Sequence, residues 1–377
     1  MKLAFFAARR VHQTYFAALA DHIKKTGLQA SVIWHKALWM DVRWLLRVTP
    51  ADEALATLVD DHLREKQNSR KGRQRRDTYW RIFRTIKRLE ARLLKAVYQQ
   101  ALIRSQATHV LLWNGLKFRQ RVVMAAARAA GMQTLVMENG LLPGMTTMDA
   151  RGVNFLNSVP RDPAFFMSYS GHWPTRSSPV PQRPDGLPPA YIFIPFQVNT
   201  DSQIVLFSPW LKDMFALTDA LLKAEQALGE KMPCVVMKTH PACDQDYTGL
   251  AASLAEKSQR IQLWQSGDTQ ALIRHASAVA TINSTVGIEA LVANIRTLVL
   301  GQAFYDLPGL TLHAGDQTAL ERALLSLADF SPNPTLRQGL LAYLHNDYQV
   351  PGRWQEADEA HLTAACEHLQ RILASNG

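Results

Sequence analysis

The feature that most constrains this chain is a rhythm, run twice, of short apolar segments separated by stretches with helical periodicity. In the first half KLAFFA, ASVIW, THVLLWN and QTLVM read as strands. A helix from about His12 to Lys25 stops at Gly27, and another lies between Gly115 and Gly131. Apolar runs of this length are the mark of strands buried on both faces, and their alternation with helices calls for a parallel sheet covered on both sides. Between Gly171 and Pro189 six of the 18 prolines fall within 19 residues, a linker composition. Beyond it the rhythm restarts with YIFIPF, PCVVMK, RIQLW, SAVATIN and RTLVLG, and from about Pro334 the chain reads as helices only. The predicted class is α/β, with two Rossmann-like domains facing a cleft. Residues 1–170 form the first domain with a basic insertion at about 64–98, 171–189 the linker, 190–330 the second domain, and 331–377 the C-terminal helices. Ligands in such sheets bind beyond the carboxyl ends of the strands, so the polar residues at those ends are the ones to examine.

Of 377 residues, 47% are hydrophobic and 20% charged, enough to bury two cores and unlike a disordered chain. No apolar run approaches the roughly 20 residues of a membrane span. The opening MKLAFFAARR is cut off by Arg9 and Arg10, too soon for a signal-peptide core, and reads as a first strand. Cys234, Cys243 and Cys366 are too few and too scattered for a zinc, redox or disulfide framework, which points to the cytoplasm.

The net charge of +10 is concentrated: from Arg64 to Lys95 there are 13 Lys and Arg against Glu65, Asp77 and Glu90, an excess equal to that of the whole chain. Up to Arg76 this segment is polar and Gly-containing, and a mobile loop is expected. From Tyr79 it turns periodic, with Tyr79, Trp80, Phe83, Ile86, Leu89, Leu93 and Val97 on one stripe and Arg81, Arg84, Lys87, Arg88 and Lys95 mostly off it. Such a helix suits the surface of an anionic membrane, and equally a helix packed on its own domain with a solvated outer face. Nucleic-acid binding would require groove-reading motifs or aromatics on a basic sheet, and none is present.

Four segments put chemistry at strand ends. In TINSTVGIEAL, SAVATIN ends at Asn283 and Ser284 and Thr285 open a helix with Gly287 in its first turn. Unpaired N–H groups and hydroxyls there suit a phosphate, Gly287 clears the approach, and Glu289 could accept from ribose hydroxyls. An ordinary Ser or Thr cap explains the same residues. In VVMKTHP, Lys238, His240 and Pro241 form a rigid, positive corner for a carboxylate or phosphate. In PFQVNTDSQIV, Gln197, Asp201, Ser202 and Gln203 cluster, and Asp201 is either a helix cap or a carboxylate offered to the cleft. Glu138 ends QTLVM, ahead of the turn residues Asn139, Gly140 and Pro143, and Gly152-Val153-Asn154 has the look of another tight turn. The chain carries no Walker loop, G-x-S-x-G elbow or dinucleotide fingerprint.

Taken in order, GVNFLNSVPRDPAFF, QVNTDSQI, VVMKTHP and INSTVGIEALVANIRTLVLGQAFYDLPGLT resemble the capsular polysaccharide biosynthesis proteins of the KpsS/KpsC type, which are retaining β-Kdo transferases. The matches span roughly Gln133 to Thr311, about half of the chain. The resemblance implies a GT-B-like glycosyltransferase that takes Kdo from CMP-Kdo with net retention and uses no cofactor and no metal in the transfer step. It implies Asp201 as nucleophile, and Lys238, His240, Asn283, Ser284, Thr285, Gly287 and Glu289, with Gln197 and Ser202, at the donor. Glu138 falls on the family's glutamate and would serve as the base for the acceptor hydroxyl. Two stretches depart from the family: Leu142 stands where an arginine is usual, and FFAARRVHQ replaces a Gly-rich turn. Both concern the acceptor half. The implied partners are CMP-Kdo, a lipid or saccharide acceptor and an anionic membrane surface at about 64–98. The implied location is peripheral on the inner face of the inner membrane. Alternatives are a uridine-donor transferase, a nucleotide-sugar epimerase, or a non-catalytic polysaccharide-assembly protein.

Overall fold

The computed structural model describes residues 2–40, 42–49, 53–174 and 179–375. It divides into two units, the first made of Met1–Arg64, Arg75–Val159 and Asp347–Gly377, the second of Glu65–Gln74 and Pro160–Asn346.

In the first unit the chain runs β1 (Lys2–Ala7), α1 (Arg10–Lys24), β2 (Gln29–Trp34), a 3-10 turn (Val42–Arg47), α2 (Glu53–Gln67), α3 (Asp77–Ser105), β3 (His109–Trp113), α4 (Phe118–Ala129), β4 (Gln133–Asn139) and β5 (Met145–Asp149). It then enters the second unit through α5 (Pro163–Met167), β6 (Ile192–Pro195), α6 (Ser202–Phe207), α7 (Met214–Leu228), β7 (Val235–Lys238), α8 (Thr248–Lys257), β8 (Ile261–Trp264) and α9 (Thr269–Arg274). The second unit continues with β9 (Ala278–Thr281), α10 (Val286–Val292), β10 (Arg296–Val299), β11 (Leu312–His313), α11 (Gln317–Ser326) and α12 (Pro334–Tyr343). The chain returns to the first unit with β12 (Gln349–Pro351) and α13 (Glu359–Ser375).

The second sheet has the order β11-β10-β9-β6-β7-β8, and all its pairings are parallel. Its strands read as unbroken apolar runs because both faces are covered. Ile192, Ile194, Val235, Met237, Ala278 and Ala280 pack on one side with Leu217 and Leu221 of α7 and Leu320 of α11. Phe193, Val236 and Val279 pack on the other with Leu272, Ile273 and Ala290. The first sheet has the order β12-β5-β4-β3-β1-β2. Strands β1 to β4 are parallel, and β5 and β12 are antiparallel additions. Phe16 and Leu19 of α1 and Leu369 and Leu373 of α13 cover one face; on the other, Tyr98 of α3 meets Phe6 edge-on at 4.8 Å.

The strands expected from apolar runs are present, and the α/β class with two parallel Rossmann-like sheets is what the chain folds into. Three differences stand out. The stretch beyond Pro334 is not helical throughout, because β12 pairs with β5 through Gln349↔Thr147. Buried polar side chains replace the apolar signal of a strand there: Gln349 donates from Nε2 to Thr147 Oγ1 at 3.1 Å and accepts at Oε1 from Leu142 N.

The chain changes unit at Val159/Pro160 and at Asn346/Asp347, so the Pro-rich stretch lies inside the second unit, with residues 175–178 outside the described ones. The chain is committed to that unit earlier because α5 packs on α12, where Gly339 leaves room for the backbone of Phe166. The segment expected as a loop is instead the end of α2 and a turn fixed within the second unit. Asn68 donates to the carbonyls of Asn199 and Lys212, and Arg73 pairs with Asp213 at 2.6 Å.

Candidate functional site

In the second sheet β6 lies between β9 and β7, so their carboxyl ends bring three of the four segments side by side. The loop after β6 is pinned from below. Gln197 donates from Nε2 to Asn283 Oδ1 at 3.0 Å and accepts from Asn283 N at 3.2 Å. Asn283 in turn donates to the carbonyls of Gln203 and Phe207. Asn199 accepts from Met214 N and donates to the Tyr247 hydroxyl, both at 3.0 Å. Gln197, Asn199 and Asn283 are buried, and each of these bonds contributes on the order of 1 kcal/mol while leaving few polar atoms unsatisfied. Gln197 and Asn283 thus act as struts joining the ends of β6 and β9.

On these struts stands Asp201. It caps α6, accepting at Oδ1 from Gln203 N at 3.0 Å and from the Ser202 hydroxyl at 3.4 Å. The cap orients the carboxylate through one oxygen, and no hydrogen bond among the described residues occupies Oδ2. Across at the end of β7, buried Lys238 donates to the carbonyl of Thr239 at 3.4 Å. His240 accepts at Nδ1 from Ala242 N at 3.1 Å, which leaves the proton on Nε2. Burial holds its pKa below the ordinary histidine value; the Asp201 charge opposes this and the Lys238 charge adds to it. At neutral pH the corner therefore offers one cation, Lys238, beside a neutral N–H donor rather than two positive charges.

The turn after β9 differs from its sequence reading. Ser284 N donates to Thr281 Oγ1, Val286 N to Ser284 Oγ, Gly287 N to Ser284 O and Ile288 N to Thr285 O. The helix start has spent most of its N–H groups, and α10 is only seven residues long. The donors left to the turn are the N–H and the exposed, non-capping hydroxyl of Thr285, and the hydroxyl of Ser284, whose oxygen accepts from Val286 N. Gly287 does not clear the way for a ligand either: a Cβ there would lie 2.3 Å from the hydroxyl of Tyr305. Tyr305 is fully buried and donates to the carbonyl of Ser284. Glu289 accepts from Gln270 Nε2, and burial raises its pKa.

Glu138 belongs to the first unit. Its Oε2 accepts from Asn114 Nδ2, at the end of neighbouring β3, and its Oε1 from Asn139 N at 2.9 Å. The G-V-N stretch that follows is organised by buried Asp149, which accepts from Arg151 N, Gly152 N, Ser158 N, the Ser158 hydroxyl and the Tyr348 hydroxyl. Asn154 there takes a left-handed conformation, φ 55°. Sequence reasoning overlooked Asp149, Asn199, Tyr247 and Tyr305. All are polar residues with partners distant in the chain, and only the placing of Tyr305 inside the GQAFYDL stretch hinted at a role.

A family model described as "Capsule polysaccharide biosynthesis protein" matches residues 108–190 and 188–354. The chain belongs to this capsule polysaccharide biosynthesis family. The match takes in β3, β4, all of the second sheet and every site residue considered above. Among relatives of this capsule biosynthesis protein, FixF of Sinorhizobium fredii is 34% identical, over 73% of this chain and 69% of FixF. The Escherichia coli capsule polysaccharide export protein KpsS is 27% identical, over 59% of this chain and 73% of KpsS. Among solved structures, the β-Kdo 2,4 transferase of Thermosulfurimonas dismutans KpsC aligns with a TM-score of 0.45 and 14% identity, covering 98% of each chain.

Proposed function

We propose that this protein is a retaining glycosyltransferase that moves Kdo from CMP-β-Kdo to a lipid or saccharide acceptor in surface polysaccharide synthesis. The observation that carries the reading is the rim formed by the ends of β9, β6 and β7, where Asp201, fixed by its cap, lies within electrostatic reach of His240, beside Lys238. The choice of Kdo and of cytidine rests on family membership and on the resemblance of the four segments to Kdo transferases. In this reading Lys238 pairs with the sugar carboxylate or donor phosphate, His240 donates from Nε2, Ser284 and Thr285 present hydroxyls, and Glu289 meets the ribose.

Asp201 attacks the anomeric carbon, the bond to the CMP phosphate oxygen breaks, and CMP leaves with the bonding electrons. Charge on the leaving phosphate is stabilised by the cation and the donors around it. Glu138 of the first unit then takes the proton from the acceptor hydroxyl as that oxygen displaces Asp201. Two inversions give retention, with no metal required in either step.

The first unit's long helix supplies the membrane part of the proposal. Tyr79, Ile82, Ile86 and Leu89 follow i, i+3, i+7, i+10 and are 41%, 63%, 57% and 53% exposed. They lie within the segment that holds the charge excess. An apolar stripe flanked by arginines suits an anionic bilayer, and would hold the enzyme peripherally on the cytoplasmic face of the inner membrane. Among the described residues no helix is long and apolar enough to cross a membrane.

Calorimetry tests the donor. CMP should bind at least about tenfold more tightly than UDP, the worth of one differential hydrogen bond, and CMP-Kdo should release CMP in the presence of enzyme. Equal or tighter UDP binding would favour a uridine-donor transferase or an epimerase. Absence of both binding and release would favour an assembly protein.

A further inference from the structure

The departure at FFAARRVHQ creates a pocket in the first unit. Strands β1 and β2 are parallel neighbours ending at Ala7↔Trp34, and beyond their carboxyl ends lies a cavity of about 410 Å³ lined by Ala8, Arg9, Arg10, Gln13, Trp34 and Lys36. This is the end of a parallel sheet at which ligands gather, and the volume falls within the range of small-molecule sites. Three cations share the lining. None forms an ion pair with a carboxylate among the described residues, and the first turn of α1 contains no acidic residue. Like charges grouped around one concavity repel one another until an anion enters, and two guanidinium groups offer the planar forks that carboxylates fit.

The lining also has a flat apolar element. Trp34 is half-buried, with Lys36 Nζ 6.0 Å from its ring centroid. An indole with part of its surface exposed can cover the C–H face of a pyranose, removing apolar area from water. Gln13 adds an amide able both to donate to and accept from a hydroxyl.

We propose that this pocket binds a carboxylate-bearing sugar of the acceptor, with the carboxylate at Arg9, Arg10 and Lys36 and the ring on Trp34. This rests on the glycosyltransferase reading above and narrows its acceptor to an acidic saccharide.

The experiment titrates the full chain with glucuronic acid and glucose by saturation-transfer NMR, adds inorganic phosphate as a competitor of glucuronic acid, and runs CMP calorimetry on the same samples. Glucuronic acid should bind and glucose, the same ring without the carboxylate, should bind at least about tenfold more weakly. Arg9→Gln combined with Arg10→Gln should weaken glucuronic acid by a similar factor or more, as should Trp34→Leu, while CMP affinity is unchanged. Lys36→Gln, at an exposed side chain, gives the same readout should the double variant melt early. Equal binding of glucose and glucuronic acid, or full affinity in the arginine and lysine variants, would overturn the proposal. Phosphate binding as tightly as glucuronic acid, with no effect of Trp34→Leu, would reduce the pocket to an anion site and overturn it too. Failure of CMP to bind would strike the donor reading alone, since glucuronic acid is scored separately.

Discussion

Gly287 shows how a site residue can be required for reasons other than ligand contact. The ring of Tyr305 occupies the space its side chain would fill, and the Tyr305 hydroxyl holds the Ser284 carbonyl from the same position. Gly287→Ala forces a fully buried ring to move, and overpacking of this kind costs about 1–3 kcal/mol. Urea unfolding should show that loss in the second unit; an unchanged midpoint would mean that Tyr305 has room to swing aside. Asp201 is the converse case. Its cap to Gln203 N uses one oxygen, and asparagine caps as well as aspartate, so Asp201→Asn removes the nucleophile while keeping the turn.

At the level of elements, α3 corrects its own sequence reading in a way that sharpens the membrane prediction. The seven apolar residues read as one stripe do not share one environment: Trp80 and Val97 are buried and Phe83 and Leu93 half-buried, while Tyr79, Ile86 and Leu89, joined by Ile82, are exposed. The exposed stripe leads along the helix towards Arg92 and Gln100, where the 42–49 segment is fastened by Arg47 to Gln100 Oε1 at 2.7 Å and by Arg92 to Thr49 O at 2.8 Å. That segment adds exposed Val42, Leu45 and Leu46. Vesicles containing anionic lipid should bind the protein more tightly than neutral ones, by roughly 1 kcal/mol per basic residue engaged, and salt should weaken that binding. Ile82→Ser with Ile86→Ser should lower it further without destabilising the fold; unchanged binding would leave α3 a solvated helix. The buried strands were legible because both faces of each sheet are covered, so they spell apolar runs. Strands β5, β11 and β12 were not, being short or carrying buried polar residues such as Thr147 and Gln349. In the candidate site, strand ends were legible as places where an apolar run meets Lys238, Asp201 or Glu138. The struts at Asn199 and Tyr305 were not, because their partners are fixed only by the fold.

The two units of the whole molecule should respond differently to acid. In the first, burial holds His12, His35, His109 and His368 below the ordinary histidine pKa, His12 to about 4. A folded pKa below the unfolded one means that the unfolded state binds more protons. The stability these groups support is thus present above about pH 6.5 and is lost as pH falls towards the folded values, with His12 alone accounting for on the order of 3 kcal/mol by pH 4. In the second unit His240 acts in the same direction, but burial raises Glu289 and Asp306, whose contribution is present at low pH and lost as pH rises through their folded values. Hydrogen exchange between pH 7 and pH 5 should show the first unit loosening before the second, and His12→Phe should lessen the difference; simultaneous loosening would contradict this assignment. The central claim is that Asp201 takes the sugar. Wild-type enzyme given CMP-Kdo without acceptor should accumulate a Kdo adduct, which mass spectrometry after proteolysis should map to the peptide containing Asp201, and Asp201→Asn should form none while still binding CMP. An adduct on Glu138 or another carboxylate, or undiminished transfer by the asparagine variant, would contradict it.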